Sequence, residues 1–197
     1  MTPTKAQKPA AKAKTPATEK AEKAPAKPRA PRLTLRRFRA GDLAAHLATR
    51  ADPGTRRFQS FARRYGAPEA LAFFAAMRRR TPDDGRGWFN LCIAARESDR
   101  PLGDLGINRT AERALIGITL DRAARGQGYA TEAVTAAADW LAERGVQTLR
   151  AEIDARNAKS LALFRDRLAF APLGSYRDGA VEVLVFERPA VRSSGPA

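Results

Sequence analysis

An α/β (α+β) fold is expected from three features of the sequence. The first is a strand-length apolar run, Leu115 to Leu120, rich in β-branched residues. The second is the helical spacing of Ala130, Ala133, Val134, Ala137, Trp140 and Leu141, which repeats at i, i+3, i+4 and i+7. The third is a further strand pattern, Val146 to Asp154, after the C-terminal helix glycine Gly145. Strand, helix and strand at this spacing fit a right-handed crossover between parallel strands.

The remaining elements follow in chain order. Leu33 to Arg39 alternates Leu33, Leu35 and, imperfectly, Phe38, and reads as a first strand. Asp42 is placed to cap a helix through Arg50. Asp52-Pro53-Gly54 reads as a turn. A second helix is expected from Pro68-Glu69, with Leu71, Phe74 and Met77 on one face and Arg78, Arg79 and Arg80 favourable at its end. Trp88 to Ala95 and Leu102 to Ile107 are strands, joined by a hairpin-like turn at Ser98 to Pro101. Asn157 opens a short helix with Leu161, Phe164 and Leu168 on one side. Gly174 to Gly179 reads as turn-rich, and Ala180 to Phe186 as a final strand. No internal repeat is found.

Composition separates residues 1–31 from the body. They are rich in Ala, Lys, Pro and Thr, with prolines at 3, 9, 16, 25, 28 and 31. So little apolar surface cannot offset the entropy of ordering, so a disordered tail is expected. Residues 1–32 hold nine basic and two acidic side chains, a net +7 of the chain's +15. A flexible polycation suits contact with RNA, DNA or the ribosome, and equally a solubilising tail with no partner. The tail has no apolar signal region and no transit-peptide pattern, and no run reaches transmembrane length. A cytoplasmic location with no membrane contact is therefore expected. The single cysteine, Cys92, excludes an internal disulfide, and with the single histidine, His46, leaves no evident metal site.

Between the strand at 115–120 and the helix after it lies Arg125-Gly126-Gln127-Gly128-Tyr129-Ala130. A glycine-rich turn at a helix N-terminus presents N–H groups and partial positive charge to a phosphate. It lacks the Gly-Lys-Ser/Thr of a P-loop and the three spaced glycines of a dinucleotide fingerprint. The stretch resembles motif A of the GNAT acetyltransferases. Gly117-Ile118-Thr119-Leu120 followed by Gly126-Gln127-Gly128-Tyr129-Ala130-Thr131-Glu132-Ala133 is most similar to the branch of the ribosomal-protein N-acetyltransferases, with Ile118 where an aromatic is usual. The opening Leu-Thr-Leu-Arg-x-Phe-x-x-x-Asp-Leu resembles the same branch.

The resemblance implies a GNAT fold over residues 32–188: a mixed central sheet of about six to seven strands flanked by about four helices, with a flexible C-terminal tail at 189–197. It implies acetyl-CoA as co-substrate, no metal, and an amine acceptor, foremost a protein N-terminus. It assigns cofactor contacts to Ile118, Thr119, Leu120, Arg125, Gly126, Gln127, Gly128, Tyr129, Ala130, Thr131 and Asn157, with Arg125 or Lys159 near a phosphate. Many GNATs carry a tyrosine acid seven residues after this asparagine. Here that position is Phe164, so Ser160 is the candidate general acid. Asn157 and Ser160 would equally form an ordinary helix cap. No general base stands out among Glu132, Asp104, Asp121 and Glu182. The segment from Arg50 to Arg80 carries eight arginines, Arg50, Arg56, Arg57, Arg63, Arg64, Arg78, Arg79 and Arg80, against Asp52 and Glu69. Such a basic wall disfavours polycationic acceptors and suits a single amine in an acidic or neutral setting. A small-molecule amine acetyltransferase and a non-catalytic acyl-CoA- or nucleic-acid-binding domain remain as alternatives.

Overall fold

The computed structural model describes residues 30–59, 65–84 and 87–190. Most of the basic tail, the last seven residues, Arg63 and Arg64 lie outside them. The seven strands are β1 (Leu33–Arg36), β2 (Trp88–Ala95), β3 (Pro101–Arg109), β4 (Arg113–Leu120), β5 (Thr148–Asp154), β6 (Ala171–Asp178) and β7 (Val181–Pro189). They form one sheet in the order β1-β2-β3-β4-β5-β7-β6. Every pairing is antiparallel except β4–β5. The mixed sheet and the parallel crossover thus form as the sequence patterns require.

Among the described residues five α-helical segments flank the sheet: α1 (Leu43–Ala51), α2 (Pro53–Arg56), α3 (Ala67–Arg79), α4 (Tyr129–Ala142) and α5 (Ala158–Leu161), the last continuing as a π-helical stretch over Ala162–Arg167. The expected turn at Asp52 is one helical turn, because the Asp52 carboxylate accepts the Thr55 N–H at 2.9 Å. Asp42 precedes α1 but its carboxylate does not cap it. It is buried and takes both terminal nitrogens of Arg36, at 2.7 and 2.9 Å, and the Arg39 N–H. Charge pairing between buried partners outweighs a cap that water can replace.

The two faces of the sheet have different cores. One is covered by α4 and α5: Ala133, Val134, Ala137 and Leu141 pack on Leu33, Leu35, Ile93, Leu105, Ile107, Ile116 and Leu149. The other carries α1 and α3 over a smaller cluster of Phe38, Phe74, Met77, Cys92 and Ala94. β2 serves both, sending Leu91 and Ile93 one way and Cys92 and Ala94 the other, as period-2 alternation requires. Leu71 does not share the buried face of α3; it is exposed, while Ala70 points inward.

Two boundaries differ from expectation. Gly174 to Gly179, read as turn-rich, falls for the most part in an edge strand, Ala171–Asp178, that is exposed along its whole length. Among the described residues it pairs with β7 alone, and the pairing shifts register between Pro172 and Gly174, so no burial alternation marks it in the sequence. The body also extends past 32–188. Ala30 is buried, Pro189 pairs with Thr148, and Ala190 packs on the core.

His46, on α1, is buried beside Phe38 and Phe74, and its Nε2 is hydrogen-bonded to the Tyr65 hydroxyl at 2.9 Å. Burial pushes its pKa down to about 4. The unfolded chain therefore binds a proton between pH 6.5 and 4 that the folded chain refuses. Stability from this residue is complete above pH 6.5 and is lost as pH falls toward 4, by up to about 3 kcal/mol. His46→Phe should flatten that part of the curve. Denaturant titrations at pH 7.5 and 4.5 check it, and a parallel acid loss in both proteins would contradict it.

Candidate active site

β4 and β5 stay together for three residue pairs, Arg113–Thr148, Ala114–Leu149 and Leu115–Arg150, and then part. β4 continues along β3 to Leu120, while β5 continues along β7 to Asp154. The Thr110 N–H donates to the Arg113 carbonyl, and the Asp121 N–H donates to the Leu102 carbonyl, both at 2.8 Å. Odd-numbered β4 residues therefore bond to β3. Even-numbered ones, Ile118 and Leu120 among them, turn their N–H groups toward the opening, beyond the last β5 partner. The Leu120 carbonyl is taken by Arg125 Nε at 3.0 Å. Thr119 faces β3, and its side chain is buried, with the hydroxyl accepting from Gln59 at 2.5 Å.

The glycine loop closes one end of this opening. A 3-10 turn at Arg122–Ala124, capped by Asp121 on the Ala123 N–H, leads into it. Gly126 and Gly128 have φ of 78° and 80°, the left-handed region that favours glycine. Gly128 is the residue from which α4 starts, so the N–H groups of the first α4 turn, from Tyr129, Ala130 and Thr131, lie at a helix N-terminus. The Gln127 side chain bonds the Ala123 carbonyl at 2.6 Å and braces the turn.

Other expected site residues have more specific environments. The Arg125 guanidinium is held by Asp52 and Thr55, each at 2.8 Å, and ties α2 to the end of β4 rather than standing free beside the loop. The Asn157 side-chain oxygen, Oδ1, accepts the Ser160 N–H at 3.2 Å, so these two do form a helix cap. The Ser160 hydroxyl lies on the first turn of α5, half-buried. Phe164 is buried edge-on to Phe170. Among the described residues no cluster of His, Cys, Asp and Glu could hold a metal ion.

Four carboxylates around the opening are paired with arginines, while Asp121 accepts the Ala123 N–H. Glu132 takes Arg32 at 2.8 Å, and buried Asp104 takes Arg50 through both oxygens, at 2.9 and 3.0 Å. Asp52 takes Arg125, and Asp154 takes Arg156 at 2.6 Å. Glu182 is exposed on β7. Their arginine partners hold the carboxyls of Asp52 and Asp154 below the usual carboxylate range. Arg50, counted in sequence as part of the basic wall, is internal and neutralised. Sequence reasoning missed Asp52, Thr55 and Arg32 as neighbours of the loop, because their partners are 70 to 100 residues away.

A family model described as an acetyltransferase (GNAT) domain matches residues 32–166, well over half of the chain. A search of curated proteins gives no match. Among solved structures, an acetyltransferase from Agrobacterium tumefaciens str. C58 is 26% identical with a TM-score of 0.67, over 87% of this chain and 99% of that one. RimJ of Mycobacterium smegmatis, in complex with CoA-disulfide, is 18% identical with a TM-score of 0.66, over 80% and 82%. Spermidine N-acetyltransferase of Vibrio cholerae, in complex with CoA and spermine, is 14% identical with a TM-score of 0.65, over 82% and 97%. The chain belongs to the GNAT family of acetyltransferases, and it is an acetyl-CoA-dependent N-acetyltransferase.

Proposed function

We propose that the acceptor is a free α-amine, in first place that of a protein N-terminus, acetylated by direct transfer in a ternary complex. The observation that supports this reading is the pairing of Asp52, Asp104, Glu132 and Asp154 with arginines. A carboxylate held by a guanidinium is a weak base, and His46 is buried with a pKa pushed down to about 4. A lysine amine, with a pKa near 10.4, would need a base to become nucleophilic. An α-amine, near 8, is neutral to roughly a tenth or more at neutral pH and can lose its proton to water. The same pairing leaves few anionic positions for a polyamine.

In this reading acetyl-CoA lies in the opening between β4 and β5. Its diphosphate meets the N–H groups from Gly126 to Thr131, and its pantetheine and carbonyl run along Ile118, Thr119 and Leu120. An N–H turned into the gap at Ile118 or Leu120 stabilises the oxygen of the tetrahedral intermediate. The amine lone pair attacks the thioester carbon, the attacking nitrogen loses a proton to water, the C–S bond breaks, and the departing thiolate takes a proton from water or from the Ser160 hydroxyl, which solvent then reprotonates. Asn157 holds the first turn of α5 in place.

Gly128→Val should abolish acetyl-CoA binding in calorimetry, since it adds a branched side chain to a left-handed residue beside the diphosphate. Unchanged affinity would remove the loop assignment. Ser160→Ala should lower kcat about tenfold with little change in acetyl-CoA affinity, because a leaving-group donor acts in the transition state. An unchanged kcat with chemistry rate-limiting excludes the hydroxyl. For the acceptor, kcat/KM should favour short peptides whose free α-amine is followed by an acidic residue over spermine and aminoglycosides. A preference for the polycations at low salt would favour a small-molecule acceptor instead.

A further inference from the structure

Arg32 lies immediately before β1, far in sequence from the glycine loop, yet its side chain is laid against it. Its Nε bonds Glu132 Oε2 at 2.8 Å and its Nη1 bonds the Gln127 carbonyl at 3.2 Å. Its guanidinium carbon sits 4.7 Å from the centroid of the Tyr129 ring. Glu132, Gln127 and Tyr129 are three residues of the loop and first turn, so one side chain grips the whole N-terminal end of α4.

The grip is fixed from behind. The Arg32 N–H donates to Glu132 Oε1 at 2.6 Å, and the Arg32 carbonyl accepts the Arg96 N–H at 2.9 Å. The Arg96 guanidinium bonds the carbonyls of Pro31, at 2.8 Å, and Ala30. The backbone on both sides of Arg32 is therefore anchored to the β2–β3 turn. Few rotamers remain to be lost when the side chain meets a ligand.

The third guanidinium nitrogen, Nη2, has no hydrogen-bond acceptor among the described residues. It lies 3.4 Å from the point where a Cβ on Gly128 would stand. The space left by the missing side chain of Gly128 is thus bounded by an arginine nitrogen with N–H groups to donate. An anion that approaches the backbone at Gly128 comes within its reach. Arg125, by contrast, has its guanidinium turned inward to Asp52, Thr55 and the Leu120 carbonyl.

We propose that Arg32 is the cationic wall of the diphosphate site, positioning the Gly126–Tyr129 loop and donating from Nη2 to a diphosphate oxygen of acetyl-CoA. This rests on the loop reading given under Proposed function. Glu132 orients the guanidinium and is not a base. The side chain is half-exposed, so a single substitution there leaves the core intact.

Calorimetry with CoA, dephospho-CoA and pantetheine tests the assignment on the parent, Arg32→Met and Arg32→Lys, with thermal melts as a folding control. Arg32→Met, which keeps the apolar stem, should raise Kd about tenfold for CoA and dephospho-CoA alike, since both carry the diphosphate. Pantetheine affinity should stay unchanged, and Arg32→Lys should recover part of the loss. Equal Kd values for parent and Arg32→Met would overturn the proposal. A loss confined to CoA would place Arg32 on the 3′-phosphate instead, and an equal loss with pantetheine would make it a structural staple; either overturns it. If Gly128→Val abolishes CoA binding while Arg32→Met does not weaken it, the loop reading stands and this inference fails. A parent protein that binds no CoA removes both.

Discussion

The parting of β4 from β5 is the constraint on which the rest depends. Parallel strands that ran together to their ends would bond every inward N–H of β4 to β5 and leave no slot. Here β5 turns to β7 after three shared pairs, and the even residues of β4 are left facing a gap. Exposed strand N–H groups inside a fold are costly unless something arrives to bond them. The helix between the two strands starts from Gly128, so a helix N-terminus and a row of strand N–H groups belong to one crossover. In the reading proposed above, binding of the phosphate end and polarisation of the carbonyl are two consequences of a single topological choice.

Charge is handled unusually for a chain of net +15. The body relies on arginines, and many are directed at carboxylates and carbonyls inside the structure. Arg36 with Asp42 and Arg50 with Asp104 are buried pairs that fasten α1 to the sheet. Arg109 and Arg144 reach carbonyls, and Arg144 lies over the Trp140 ring. A guanidinium suits this work because its planar fork satisfies two acceptors at once, which an ammonium cannot do in the same geometry. Around the glycine loop, Asp52, Asp104, Glu132 and Asp154 are each engaged by an arginine. In the reading proposed above, proton removal falls to the acceptor and to solvent.

Much of this was legible in the residues, and what was not has identifiable causes. α4 was readable because Ala133, Val134, Ala137 and Leu141 repeat with the helical period and all are buried. β2 was readable because its apolar run coincides with a strand buried on both faces. β6 was not, because an exposed edge strand with Pro172 and Gly174 at a register shift has a turn's composition. The glycine loop was visible as a string; its neighbours were not. Nothing local in Asp52 or Arg32 says that each will meet a residue some 70 to 100 positions on. Asp42 illustrates the opposite error: a sound local rule gave way to a buried partner, Arg36, that lay six residues upstream.

Ala133, Ala136, Ala137 and Ala138 on α4 are all buried. Side chains this small let the helix axis settle close to the sheet, and the same axis carries the glycine loop at its tip. The volume of a few methyl groups thus acts as a spacer gauge for the mouth of the slot. Were the gauge thickened by bulkier apolar residues, the helix would ride outward and carry the loop away from the N–H row of β4. The protein could remain folded with a site stretched beyond the span of its substrate. Diversity at these positions among functioning relatives should accordingly be bounded by size more than by polarity.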